Sequence, residues 1–301
     1  MRDRRVLSVA VAAFLFCIFA SQAVAQIRSN AGIKHKFLAV DQGRQRLLYV
    51  DQFQPENDWT IDVPPRPRDL RPLSGNKVLM SHGNGAAEYD LKSGKQIWII
   101  QSHRGIESAI RLSNGNTLLG GNNAKDIVIY EVDSTGKDVR RLLLEGKKDV
   151  HIIERLKNGH ILLTHNEHKK GDQPSWVTEV DARGKTVWEV EIPGAADDVK
   201  KLPNGNTLVP TGDRCTVLEL DVSGKTVATF AGVDAHPRLG IKWLGSIQVL
   251  KSGNMVVSNW LGHGVPLVGP HIIEFDRSNR IVWTWDDHNR ASKIHNVLVL
   301  N

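Results

Sequence analysis

Arg68, Glu107, His151, Asp197 and His295 are the residues whose types and spacing could do chemistry together. Each stands five positions before the last leucine of a short apolar run, and Gly245 fills that place in a sixth run. One position further on come Asp69, Ser108, Ile152, Asp198, Ser246 and Asn296. If the six runs lie side by side, these residues form a ring of titratable groups, close enough to shift one another's pKa values. A histidine beside carboxylates can act as general acid or base. In an enzyme, His295 and His151 would carry that role, with Glu107 and Asp198 nearby. In a binding protein, Arg68, Glu107, Asp197, Asp198 and Asn296 would contact the ligand. The same mixture of Glu, Asp, Asn and His could hold a divalent cation such as calcium, although no cofactor is expected on the strength of any motif. As plain polar lining of a water-filled channel, the ring would do no chemistry.

Two loops run longer than their surroundings require, Ala231–Leu244 (AGVDAHPRLGIKWL) and Asn259–His271 (NWLGHGVPLVGPH). Long, aromatic loops on a rigid scaffold are where binding sites tend to be built. His236, Trp243, Trp260 and His263 are expected to form one wall of a ligand site.

The elements that must hold these residues are repeated. A leucine followed within a few residues by a turn glycine recurs at Gly75 (LSGNKVLM), Gly115 (LSNGNTLL), Gly159 (LKNGHILL), Gly205 (LPNGNTLV) and Gly253 (LKSGNMVV). An apolar run ending in Asp recurs at Asp51, Asp90, Asp133, Asp181, Asp221 and Asp276, and a further strand-like run such as KQIWII or KTVWEVEI follows each. Asn-Gly between apolar runs is a hairpin signal, and the expected turn is type I′, with positive φ at both central residues. The Asp residues at the ends of the third runs are expected to bond the turn backbone.

Each unit is therefore four short strands at a period of 40 to 50 residues, the signature of a β-propeller. Ile294–Asn301 reads as a first strand without partners, and Phe37–Asp51 as second and third strands without a first. The two ends are expected to share a blade, which closes the ring and removes open sheet edges. The count is six blades of four strands in an all-β fold, with seven the second choice because of the long interval between Asp221 and Asp276. On this layout ten of the twelve histidines, with several arginines, fall on or beside the loop-rich face, which should attract anions.

The repeat text LPNGNTL, together with E-x-D-x-x-G-K-x-V-W and a Trp at Trp98, Trp188 and Trp283, resembles the quinoprotein-like and arylsulfotransferase-like propellers. The likeness covers most of the chain and is one of scaffold, which does not carry function with it. Adjacent cysteines, which the quinone-binding members place beside pyrroloquinoline quinone, are missing here, so that cofactor is not implied. IHNV (Ile294–Val297) is similar to the His-Asn start of an inner strand in the arylsulfotransferase-like group, which points to His295.

The first 25 residues read as a secretory signal peptide: a basic start, an apolar run from Val6 to Ala20, and Ala23-Val24-Ala25 before Gln26. The run is too short to span a membrane as a stable helix. The mature chain, residues 26–301, is expected to be one exported domain, periplasmic or secreted, and monomeric. Loss of three Arg and one Asp takes the formal charge from +6 to +4, too little to argue for nucleic acid. A single cysteine, Cys215, remains, so no internal disulfide can form and the core alone must hold the fold. The expected partner is a small-molecule or glycan ligand, anionic or sugar-derived. An arylsulfotransferase-like or lactonase-like enzyme and an envelope-protein interaction module are the alternatives, and the sequence leaves catalysis open.

Overall fold

The computed structural model describes residues 32–166, 174–262 and 268–300. The expected signal peptide and His263 lie outside them. Among the described residues twenty-four strands make six four-stranded antiparallel sheets. The first three are β1 (Lys36–Asp41), β2 (Arg46–Asp51) and β3 (Trp59–Asp62). The next blade is β4 (Leu70–Leu73), β5 (Lys77–His82), β6 (Gly85–Asp90) and β7 (Gln96–Ile100), and the third is β8 (Ile106–Arg111), β9 (Thr117–Asn122), β10 (Ile127–Val132) and β11 (Asp138–Leu144). The fourth is β12 (Val150–Arg155), β13 (Ile161–Asn166), β14 (Ser175–Val180) and β15 (Thr186–Ile192), and the fifth is β16 (Lys200–Lys201), β17 (Thr207–Thr211), β18 (Thr216–Leu220) and β19 (Thr226–Ala231). The last complete blade is β20 (Leu244–Val249), β21 (Met255–Asn259), β22 (Ile272–Phe275) and β23 (Ile281–Trp285), and β24 (Ile294–Val299) follows it. β24 pairs with β1, so the two ends of the chain share the first blade, and the count is six.

The second strand of a blade is apolar on both faces because it is buried on both. Successive side chains of a strand point to opposite sides, and here each side meets a different neighbouring blade. Leu118 packs toward the fourth blade and Leu119 toward the second. Val256 packs toward the first blade and Val257 toward the fifth. Six apolar clusters fill the six seams in this way. Trp283 sits in the seam that closes the ring, edge-on to Phe37 at 5.8 Å; truncating so large a buried ring costs about 3–5 kcal/mol. Cys215 is buried and free.

The Asn-Gly hairpins, and the Ser252-Gly253 one, differ from the type I′ form expected for Asn-Gly. Gly115, Gly159, Gly205 and Gly253 have φ between +84° and +90°, while the residues before them are not in the left-handed region. In the first of these, Gly115 N–H donates to Leu112 O at 3.0 Å and Leu112 N–H to Asn116 O at 2.8 Å, which makes a three-residue loop. This is the type I turn followed by a left-handed residue, in which glycine alone needs positive φ. Asn114 contributes through its side chain instead, with Oδ1 accepting from Asn116 N–H at 3.0 Å.

The aspartates after the third strands cap their turns. In four blades one oxygen accepts backbone N–H groups two and four residues on: Asp133 from Thr135 and Lys137, Asp181 from Arg183 and Lys185, Asp221 from Ser223 and Lys225, and Asp276 from Ser278 and Arg280. At Asp133 and Asp221 the hydroxyls of Thr135 and Ser223 also donate, at 2.6 Å, and lead in lowering the pKa; at Asp181 and Asp276 the backbone bonds lead, and all four carboxyls lie below their ordinary pKa.

Candidate functional site

The inner strands do not run straight to the channel mouth. β8 loses register with β9 between Ile106 and Ser108, β12 with β13 between Val150 and Ile152, and β24 with β1 opposite the step from Ile294 to Asn296. Glu107, His151 and His295 are the residues stepped over. A bulge leaves one residue unpaired and re-aims its side chain, so three of the five ring residues sit at irregular points of otherwise regular strands. Asp197 lies before the short β16, and Arg68 before β4.

These five meet at one end of the channel. Arg68, His151, Asp197 and His295 line a chamber of about 220 Å³ together with Trp243 and Trp260. Arg68 Nε lies 2.8 Å from Glu107, whose other oxygen takes Arg66 Nη2 at 2.6 Å. Arg68 Nη1 reaches His295 Nε2 at 2.6 Å. A guanidinium has donors only, so Nε2 must accept and the proton of His295 is on Nδ1. That Nδ1 is buried and has no hydrogen-bond partner among the described residues. Burial, then the charge of Arg68, pushes the His295 pKa down to about 3, so the ring is neutral at any physiological pH.

His151 Nδ1 lies 2.9 Å from Asp197 Oδ1, and its Nε2 lies 3.0 Å from the Asn166 amide. Burial opposes charge on both members of the His151–Asp197 pair, and their mutual attraction outweighs it: the His151 pKa is raised and that of Asp197 falls to about 2. Trp243 Nε1–H donates to the other oxygen of Asp197. The Trp243 and Trp260 rings meet edge to face at 6.1 Å, and Trp260 lies edge to face with His295 at 6.5 Å. Gly212 makes room for this wall, since a Cβ there would overlap the Trp243 indole.

The second set of ring positions does something else. Asp69 accepts Ser108 Oγ–H at 2.8 Å across the seam between second and third blades, Asp198 accepts Ile247 N–H at 2.9 Å between fifth and sixth, and Val297 N–H reaches Ser246 Oγ at 3.3 Å between sixth and first. Asp198 and Asn296 line a separate chamber of about 190 Å³, with Asp69, Arg71 and Lys200, rather than the mouth. Burial raises the Asp198 pKa to about 6.

His236 is not beside Trp243 and Trp260. Its ring lies against Phe275 and Nε2 is 3.1 Å from Asn279 O, at the turn between β22 and β23. The first half of its loop is tied there, by Ala231 N–H to Asn279 Oδ1 at 2.7 Å, and only the second half reaches the mouth, where Lys242 N–H bonds Asn259 Oδ1 at 2.7 Å. Loop length in the sequence does not show where the loop doubles back. Asn166 and Gln42, which also line the mouth, carry no sequence signal: each is an ordinary polar residue at a strand end. Among the described residues no three His, Cys, Asp or Glu side chains are grouped so as to hold a metal ion, and no helix is long and apolar enough to cross a membrane.

No protein-family model matches the sequence, and no curated protein matches it. Solved structures share the scaffold. A protein of unknown function from Bacteroides caccae superposes with a TM-score of 0.74 at 19% identity, over 89% of this chain and 99% of its own. A catalytically inactive histidine-to-alanine variant of virginiamycin B lyase from Staphylococcus aureus, with quinupristin, superposes with a TM-score of 0.56 at 12% identity, over 86% and 87%. A streptogramin B lyase does so with a TM-score of 0.53 at 14% identity, over 88% of each chain. At these identities the likeness is one of fold.

Proposed function

We propose that the channel mouth binds a small organic acid, about one ring in size. The observation that carries this reading is the contact of Arg68 with His295. It forces His295 into the tautomer whose buried Nδ1–H has no acceptor among the described residues, beside a guanidinium that can only donate. A ligand group made of acceptors, such as a carboxylate, answers both. Among the described residues the one carboxylate in the chamber lining, Asp197, is already taken by His151 and Trp243. Size follows from volume: a cavity of about 150 Å³ takes up benzene, and the mouth holds about 220 Å³. Trp243 and Trp260 supply a flat wall for an aryl or sugar ring.

A catalytic reading, as a lyase, lactonase or sulfotransferase, asks one of the imidazoles for a free basic nitrogen. His295 Nε2 is occupied by Arg68, and both nitrogens of His151 have partners. This supports binding over acid–base turnover. The basic start and apolar run of residues 1–25 support export, so the acid would be met outside the cytoplasm, and the resemblance to arylsulfotransferase-like propellers makes an aryl sulfate the second anion to try. Isothermal titration of the mature protein with benzoate, glucuronate, phenyl sulfate and the neutral partners benzamide and glucose tests the proposal. One of the anions should bind at least tenfold tighter than its neutral partner and lose that margin in Arg68→Ala. Equal binding of neutral partners, or no binding of any one-ring anion, overturns it.

A further inference from the structure

The proton inventory around Ser175 decides the charge of His151. Ser175 Oγ accepts Ala196 N–H at 2.9 Å and lies 2.7 Å from Gly194 O, and it also touches the far end of the Asn166 amide. The other end of that amide lies 3.0 Å from His151 Nε2. A hydroxyl has one proton to give. If the Asn166 oxygen faces Ser175, the single proton must serve both that oxygen and Gly194 O, and one oxygen–oxygen contact is left without a hydrogen. Exchanging the amide's O and N, which have the same shape, removes the conflict. Asn166 Nδ2–H then donates to Ser175 Oγ, Ser175 donates to Gly194 O, and Asn166 Oδ1 faces His151 Nε2. An oxygen there requires a proton on Nε2, and Asp197 requires one on Nδ1.

We infer that Ser175 and Asn166 hold His151 as an imidazolium, so that its charge offsets that of Asp197 and leaves no unpaired carboxylate to repel an anionic ligand at the mouth. His151 is thereby a specificity-determining residue that selects anions through its charge. The part that concerns ligand choice rests on the acid-binding reading above; the protonation state does not. The groups facing the ring agree with it. Asp197 and Glu107 favour the cation and Arg68 opposes it, while His165 and His295, with pKa values of about 4 and about 3, are neutral near pH 7 and add no competing charge. The net result is a raised pKa for His151. The anion preference should fade as pH rises past that value.

Nitrogen-15 NMR of histidine-labelled mature protein without ligand reads the state of His151 directly, because imidazolium and the two neutral tautomers have distinct patterns. The wild type should show imidazolium at pH 7.5. Asn166→Leu, which removes the acceptor, should convert His151 to the neutral form protonated on Nδ1, and weaken benzoate binding at least tenfold at that pH. Asn166→Asp keeps an oxygen against Nε2 and should leave the imidazolium pattern unchanged. A neutral wild-type His151 that becomes charged in Asn166→Asp would mean that the amide donates to the ring, and would overturn the inference. An imidazolium in a protein that binds neither benzoate nor phenyl sulfate would leave the protonation state standing and overturn the part about ligand choice.

Discussion

Trp243 is bonded to Asp197 through the indole Nε1–H, and the other oxygen of the same carboxylate holds His151. The aromatic wall of the mouth and its charged floor are thus one unit, although Trp243 comes from the loop before β20 and His151 from β12. Trp243→Phe keeps a flat apolar ring and removes only the donor. A hydrogen bond to a charged group contributes about 1.5–3 kcal/mol, so the variant should be destabilised by about that much in urea unfolding. It should also loosen the His151 ring and weaken acid binding, while Trp260→Phe should lose contact area against Trp243 and His295.

Closure of the ring rests on Asp41. Its carboxylate is fully buried and accepts Ser292 N–H and Ser292 Oγ–H, each at 2.8 Å, Lys293 N–H at 3.1 Å and Gly43 N–H at 3.0 Å. Asp41→Ala leaves several buried donors without an acceptor, each costing about 1–3 kcal/mol. The expected result is the largest fall in stability of any single polar substitution outside the mouth, with proteolysis first appearing between residues 286 and 293. Asp41→Asn, which retains one acceptor oxygen, should lose less.

The pH dependence of stability has a histidine component. His271 is wholly buried beside His288, and burial, then the neighbouring imidazole, lowers its pKa from 6.5 to about 4. The unfolded chain therefore binds a proton on this residue at higher pH than the folded one does. Its contribution is complete above pH 6.5, is lost as pH falls from 6.5 to about 4, and does not change below that. His271→Phe should flatten the melting-temperature profile across that window relative to wild type. An unchanged slope would show that His271 does not carry it. The turn aspartates act lower: with their folded pKa values depressed, their stabilisation is present above the ordinary carboxylate range and is lost as pH falls through the folded values.

How much was legible can be judged at particular residues. The blades were, because a strand buried on both faces must carry consecutive apolar residues, as at Leu118-Leu119, and because the Asp that caps each turn needs backbone N–H groups at fixed offsets. The ring positions were legible as an alignment, since a repeated inner strand repeats its geometry. What the alignment could not show is that Glu107, His151 and His295 sit at breaks in register, which depends on the partner strand, nor that Asp198 and Asn296 belong to the next tier, a single residue's rise along the strand away. Asn166 was invisible for a related reason. Its significance lies in what Ser175, His151 and Gly194 do with their protons, and the eight residues of sequence between Asn166 and Ser175 give no hint of that pairing. His236 was misplaced because loop length says nothing about which half of the loop is tied down.

The hairpin loops offer a test of the turn chemistry. Gly115 has φ of +88° and open space where a Cβ would go, so Gly115→Ala meets no neighbour and its cost is that of a left-handed backbone alone. That cost is about 1–2 kcal/mol for a residue with a Cβ, and smaller for Asn, which tolerates the region through local hydrogen bonding. Asn114, by contrast, does not lie in the left-handed region, and its replacement by Ala should cost only its side-chain bonds, the one accepted from Asn116 N–H and a 3.3 Å one donated to Glu131, about 1 kcal/mol for the first and less for the second. In a two-residue type I′ turn both central positions would need positive φ, and Asn114→Gly would stabilise. In the three-residue loop that substitution should destabilise, since it removes the Asn114 side-chain bond and adds backbone freedom to the unfolded chain. Urea unfolding of Gly115→Ala, Gly115→Asn, Asn114→Ala and Asn114→Gly decides between the two, and a more stable Asn114→Gly would be incompatible with the loop described here.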